Sequence, residues 1–248
     1  MNKKIVIIGA TSAIAEQCAR LWSAREDSHL LLVGRNASKI ERIAQDLRVR
    51  SPLSSIEVMQ ADLIDTASID RTVQHITQQG MVDLVLIAHG SLPSQSAAQA
   101  NLALCRDALE VNAQSPVLFA EAFASHMQLI GRGTIVLLGS VAGDRGRKSN
   151  YIYGAAKGLV TRYAQGLQHR FAKTDIHVVL VKPGPTDTPM TAEFKQQGIN
   201  MASAQEVAAC VVRGIDQGKL VIYAPSKWKF IMMIVRHLPR WVFNKMDI

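Results

Sequence analysis

Seven short apolar runs punctuate the chain: IVIIG, HLLLV, IEVM, VDLVLIA, GTIVLLG, HVVLV and LVIYA. They are rich in Ile, Val and Leu and show little alternation with polar residues, so they read as strands buried on both faces. Longer amphipathic stretches separate them, with apolar residues at helical spacing. Strands alternating with helices imply an α/β protein, a doubly wound parallel sheet covered on both sides. Such a sheet binds ligands outside the carboxyl ends of its strands. No repeat, low-complexity segment or linker divides the chain, so one domain is expected.

Composition narrows the picture. At 248 residues and 48% hydrophobic content, the chain can bury one large core. Cys18, Cys105 and Cys210 lie far apart with no metal-ligand spacing, which fits unligated thiols in a reducing compartment and no metal site. The first apolar run ends after about five residues, so the N-terminus reads as a strand and not a signal peptide, and a cytoplasmic body is expected. The net charge of +8 is uneven, since Lys219 to Ile248 holds six Lys/Arg against one Asp, a net of +5. Residues 1–225 read as a nucleotide-binding catalytic domain and 226–248 as an apolar, basic tail. No nucleic-acid partner is expected.

The stretch GATSAIAE, Gly9 to Glu16, follows the first strand and opens a helix. A turn of this kind aims helix N–H groups at a pyrophosphate, and its glycines permit the tight turn and close approaches. Gly9 meets the first requirement, Ala13 and Ala15 stand at the second and third glycine positions, and the hydroxyls of Thr11 and Ser12 add donors. Arg35, after the second strand, stands where an NAD-preferring protein carries an acid for the ribose 2′-hydroxyl. It attracts a 2′-phosphate there, or is simply solvated, so NADP(H) is the favoured cofactor and NAD(H) remains open. Asp62 in QADLID either approaches the adenine or caps a turn.

In SVAGDRGRKSNYIYGAAK, Ser140 ends a strand, Tyr153 follows thirteen residues later and Lys157 four beyond that, on the same helix face. Reducing a ketone needs a proton on oxygen as hydride reaches carbon. A nearby ammonium is expected to draw the tyrosine pKa from about 10 toward the working range. Ser140 can hold the substrate oxygen, and Asn112 in LEVNAQSP can anchor a water chain that returns the proton. Together these four residues are the expected catalytic set.

These residues resemble the short-chain dehydrogenase/reductase family over nearly the whole chain to about Tyr223. Gly9, Asp62, Asn112, Ser140, Tyr153, Lys157 and the segment KPGPTDT, Lys182 to Thr188, match its motifs in order. The resemblance implies a Rossmann fold, a grip by Lys157 on the nicotinamide ribose, and Pro183 and Thr188 flanking the carboxamide. Further cofactor contacts are implied at Ile14, Leu63, Gly90, Gly184 and Thr186. Of the two tyrosines, only Tyr153 stands four before Lys157, which sets Tyr151 aside. The chain departs from the family at Ala13 and Ala15, at IAHG, Ile87 to Gly90, which replaces Asn-Asn-Ala-Gly and removes a sheet-bracing amide, and in its longer C-terminus. His89 is expected to pack or bond locally rather than to act as an extra catalyst.

Within the family, GATSAIA, IAHGSLP and the IYAP segment with its tail are similar to the keto-sugar reductases acting on polyprenyl-phosphate pentoses, the arabinose-forming decaprenylphosphoryl-2-keto-pentose reductases. That similarity implies reduction of the C2 ketone of a lipid-linked furanose, with a separate flavoprotein oxidase making the ketone. Ketone reduction on an acyl-carrier or steroid substrate and a non-catalytic nucleotide-binding role are the alternatives. In the tail, the apolar run Phe230 to Val235 is far shorter than the roughly 20 residues that span a bilayer. Trp228, Phe230, Ile231, Met232, Ile234, Val235, Leu238, Trp241 and Phe243 are bracketed by Lys227, Lys229, Arg236, Arg240 and Lys245, with Pro239 dividing the segment. Apolar anchors between cations suit a helix lying in lipid headgroups, on the inner face of the cytoplasmic membrane. Packing on its own domain or on a second subunit of a homo-oligomer is the competing reading. Removing Ser226 to Ile248 is expected to release the protein from anionic liposomes while leaving NADPH binding intact.

Overall fold

The computed structural model describes residues 3–25, 28–192, 198 and 200–246. All seven apolar runs become strands of one parallel sheet: β1 (Lys3–Ile8), β2 (Ser28–Gly34), β3 (Ser55–Gln60), β4 (Leu84–Ile87), β5 (Arg132–Leu138), β6 (Asp175–Pro183) and, last in sequence, β9 (Val221–Ala224). Their order in space is β3-β2-β1-β4-β5-β6-β9, and Thr186–Asp187 (β7) pairs separately with Ala202–Ser203 (β8).

The uninterrupted apolar character of the strands follows from this placement. Ile5 and Ile7 of β1 pack under helices α1 (Ala13–Ser23), α2 (Ala37–Arg50) and α8 (Ala204–Asp216), with Trp22, Leu47 and Val211. The intervening Val6 and Ile8 face the opposite layer, α3 (Thr66–Gln78), α6 (Ser115–Ile130) and α7 (Tyr151–Arg170), with Ile76, Phe123 and Val160. Both faces are covered by helices, so the regular alternation of a half-solvated strand never develops. The short helices α4 (Gln95–Ala100) and α5 (Leu102–Leu109) and a π-helical turn at Glu110–Gln114 lie between β4 and α6.

The chain winds from β1 outward to β3, then crosses back to β4 on the other side of β1. The strand order therefore reverses between β1 and β4, and a crevice opens at their carboxyl ends. The same ends are pressed together beneath it. Gly9 has φ of 81°, and a Cβ there would lie 2.5 Å from the backbone nitrogen of His89. Only glycine fits both the backbone conformation and the contact.

Beyond β9 the tail forms a helix, Lys227–His237, and a short turn of helix, Arg240–Phe243. Among the described residues it meets its own domain at Met232, at Trp228 and through Arg145. Met232 is buried, Trp228 stands where a Cβ on Gly184 would strike its indole nitrogen at 1.9 Å, and Arg145 reaches across to the tail. That guanidinium donates to the carbonyls of Val235 and Leu238 at 2.5 and 2.7 Å and lies 3.8 Å from the Phe243 ring centre. The tail thus packs on the loops around the crevice, which a bare anchor does not do. Its last two residues, Asp247 and Ile248, fall outside the described range.

Candidate active site

A cavity of about 680 Å³ fills the crevice, within the range of small-molecule and cofactor pockets. Gly9, Thr11, Ser12, Ile14, Arg35, Leu63, Gly90, Asn112, Ser140, Tyr153, Lys157, Pro183, Gly184, Thr186 and Thr188 all line it. Asp62 is the one expected contact that does not. Its carboxylate accepts from the backbone N–H of Ile64 at 2.8 Å and of Asp65 at 3.3 Å, and those bonds, aided by Arg35, hold its pKa below the usual range. The turn-capping reading describes the bonds this carboxylate makes, and Asp62 stands outside the cavity lining.

At the nucleotide loop, Gly9 and Ala10 donate their N–H groups to the Val33 carbonyl, tying the turn to β2. Ser12 is the N-cap of α1, yet its hydroxyl makes no capping bond, so the first-turn N–H groups stay available to an anion. The two alanines fit for different reasons: Ala15 is fully buried in the core beneath α1, whereas Ala13 lines the cavity, where its methyl sets how near a pyrophosphate comes. At the end of β2, Arg35 is joined by Lys39, which the sequence reading did not single out. A signal existed. Lys39 lies in the first turn of α2, a turn without acidic residues, where the helix dipole favours anions over cations.

The other end of the cavity holds the proton-transfer groups. Lys157, buried in α7, donates to the Leu138 carbonyl at the end of β5 at 2.9 Å and stands 5.8 Å from the Tyr153 ring centre. Burial lowers its pKa to about 8. Tyr153 departs from expectation. Burial raises its pKa, a hydrogen bond with Ser140 pulls only partly against that, and the ammonium does not bring the phenol toward neutrality. Desolvation of the phenolate outweighs the bond from Ser140 even with the Lys157 ammonium over the ring. Tyr153 is therefore a held proton, the form required of an acid in the reducing direction.

Asn112 sits in the π-helical turn and is completely buried. Its Oδ1 accepts from the Ser91 N–H at 2.9 Å while Nδ2 donates to the Ala108 carbonyl at 2.8 Å, so the amide clamps the loop after β4 to the end of α5. His89 supplies the brace lost with the family's asparagine. Its Nε2 bonds Ser115 Oγ at 2.7 Å, Ser115 donates to the Leu63 carbonyl, and the ring meets Phe119 edge-on at 5.9 Å. Burial, with Lys157 and Arg35 nearby, drives the His89 pKa down to about 3. The ring is neutral and bonded at Nε2, while its buried Nδ1 has no hydrogen-bond partner among the described residues.

One more network fixes the loop between β5 and α7. Asp144 pairs with Lys182 and accepts from the Tyr223 hydroxyl at 2.7 Å, with both charged side chains almost completely buried. Ser140 is thereby held against β6 and β9 on one side, while Arg145, next in sequence, holds the tail on the other.

Among the described residues no group of three or more His, Cys, Asp or Glu is placed to hold a metal, and no helix is long and apolar enough to cross a membrane. Comparison with known proteins agrees with the geometry. An uncharacterized oxidoreductase of Mycobacterium tuberculosis is 28% identical over 243 residues, 98% of this chain and 96% of its own length. One from Streptomyces coelicolor is 27% identical over 246 residues, 99% and 96% of the two chains. Among solved structures, a short-chain dehydrogenase from Sphingobium yanoikuyae in complex with NADPH superposes with a TM-score of 0.81 at 24% identity, covering 96% of this chain and 97% of its own. A bulky-bulky ketone specific alcohol dehydrogenase from Comamonas testosteroni gives 0.80 at 23% identity, covering 99% and 95%. The short chain dehydrogenase family profile matches residues 3–198, from the first strand to beyond β7, and on that match this protein belongs to the short-chain dehydrogenase family of oxidoreductases.

Proposed function

We propose that this protein is an NADP(H)-dependent ketone reductase, with Tyr153 as proton donor, Ser140 holding the carbonyl oxygen, Lys157 gripping the nicotinamide ribose and Asn112 bracing the site. The observation that carries the reading is the convergence of Ser140, Tyr153 and Lys157 on one cavity with the nucleotide loop at its other end. The cofactor brings the hydride. Thr11, Ser12 and the first-turn N–H groups of α1 hold its pyrophosphate, and Pro183, Gly184, Thr186 and Thr188 border its nicotinamide.

Arg35 and Lys39 favour the phosphorylated cofactor. A hydrogen bond to a charged group contributes about 1.5–3 kcal/mol, so NADPH binds roughly 10- to 100-fold more tightly than NADH. Arg35→Ala removes most of that preference and adding Lys39→Ala removes the rest, as read by fluorescence titration. Equal affinities in the unmodified protein would make both side chains ordinary solvated surface.

The substrate favoured is the C2 ketone of a polyprenyl-phosphate-linked pentofuranose, supplied by a flavoprotein oxidase. The similarity of GATSAIA, IAHGSLP and the IYAP segment supports it, as does the tail. Phe230, Met233, Ile234 and Trp241 are 65%, 50%, 60% and 70% exposed, and Lys227, Lys229, Arg236, Arg240 and Lys245 surround them in solvent. Burying each such apolar group in lipid contributes about 1.5–3 kcal/mol. The protein therefore sits at an anionic membrane surface. Co-sedimentation with phosphatidylglycerol vesicles is expected to fall at least tenfold in the Phe230→Glu, Ile234→Glu double variant, and to weaken at high salt, with NADPH affinity unchanged. Equal sedimentation of variant and parent removes the membrane role. Deleting the whole tail is a weaker test than the sequence suggested, because it also strips Trp228 from Gly184 at the nicotinamide end. Turnover of a lipid-phosphate keto-pentose against acyl-carrier and steroid ketones tests the substrate assignment.

A further inference from the structure

Among the described residues the cavity is lined by four cationic side chains, Arg35, Lys39, Arg147 and Lys157, and by no Asp or Glu. Three of the four have work in the reading above: Arg35 and Lys39 face the 2′-phosphate, and Lys157 serves the nicotinamide end. Arg147 has none. It lies on the loop between Ser140 and Tyr153, and among the described residues no hydrogen bond, ion pair or ring contact engages its guanidinium. Asp144, three residues before it, is committed to Lys182 and Tyr223. Burial lowers the Arg147 pKa, so its charge is partly desolvated, with no opposite charge on it among the described residues.

Position separates Arg147 from the cofactor's phosphates. Arg35 and Lys39 follow β2, whereas Arg147 follows β5, three strands away in the order β2-β1-β4-β5, or roughly 14 Å at about 4.8 Å per strand. The pyrophosphate belongs to the start of α1, after β1. Leu92, Val111 and Met190 line the same cavity and give it apolar wall as well as charge.

We infer that Arg147 is a specificity-determining residue that binds a phosphate ester on the substrate, placing that anion on the Ser140–Tyr153 side of the cavity. The inference rests on the cavity being a reductase site and narrows its substrates to ketones carrying a phosphate group. A planar guanidinium suits this task because it presents paired donors to two phosphate oxygens.

The test is calorimetric titration of the NADPH-saturated protein with hexyl phosphate, hexanol and inorganic phosphate, repeated for Arg147→Gln and Arg147→Lys. Hexyl phosphate is expected to bind, to lose at least tenfold in affinity in Arg147→Gln and to recover part of it in Arg147→Lys. Hexanol affinity is expected not to change. Inorganic phosphate binding as tightly as hexyl phosphate would make this a free-anion site and overturn the substrate assignment. Equal affinity of hexyl phosphate for parent and Arg147→Gln also overturns it, as does a weakened NADPH affinity in Arg147→Gln, which would reassign the residue to the cofactor. A parent protein that fails to bind NADPH at all fails the reductase reading itself, a result distinct from any of these.

Discussion

Tyr153→Phe is expected to lower ketone reduction by about 10² to 10⁴, the usual contribution of a positioned general acid, while NADPH affinity stays close to that of the parent. The substitution deletes one oxygen and keeps the ring that packs in α7, so the cavity persists while the proton donor is gone. No neighbour can replace it. His89 is neutral with a pKa near 3 and bonded to Ser115, and Lys157 donates to the Leu138 carbonyl. Ser140 is too weak an acid and accepts from the Ala142 N–H at 3.1 Å. Steady-state NADPH oxidation with a saturating ketone, alongside cofactor titration of the same protein, reads both quantities. Near-normal turnover would remove Tyr153 from the mechanism.

Lys157→Ala is expected to damage both quantities: NADPH binding by about tenfold or more, through loss of a charged hydrogen bond, and turnover by about 10² or more. Its titration adds a pH signature. With a pKa of about 8, Lys157 is charged below that pH and neutral above it. The charged form is the active one, so reduction is full below pH 8 and falls as pH rises through it. Stability moves oppositely. The folded value lies below the ordinary 10.5, so the unfolded chain binds more protons between about 8 and 10.5, and this group's contribution to stability rises with pH across that window. Lys157→Arg keeps a charge that does not titrate and is expected to erase the alkaline limb at reduced rate. A limb persisting near pH 8 in that variant assigns it to another group.

What the sequence made legible follows from how local each signal is. The seven strands are continuous apolar runs because both faces of the sheet are covered, a condition written along each run. Ser140, Tyr153 and Lys157 are tied by strand-to-helix spacing that survives in one dimension. Gly9 was legible as a turn, but its second constraint, the His89 backbone 2.5 Å from an added Cβ, depends on β4 crossing to the far side of β1. The balance between burial and the Ser140 hydrogen bond at Tyr153 was not legible, because it depends on how deeply the phenol sits. The tail showed its cations and apolar groups in the sequence. That Trp228 spends its indole on Gly184, and that Arg145 caps the tail helix, are contacts between residues more than forty apart. Asp62 offered two readings at equal local cost, and the loop geometry shows the capping bonds of one of them.

The most direct test of the account is isotopic. NADPH deuterated at the nicotinamide C4 on the transferred face is incubated with the protein and with ketones running from a simple aryl ketone to a lipid-phosphate keto-pentose, and the products are read by mass spectrometry. The account predicts an alcohol carrying one deuterium at the carbinol carbon from the parent protein and almost none from Tyr153→Phe at equal cofactor occupancy. A parent protein that binds NADPH and yields no deuterated alcohol from any of these ketones, or a Tyr153→Phe variant that yields it at the parental rate, would contradict it.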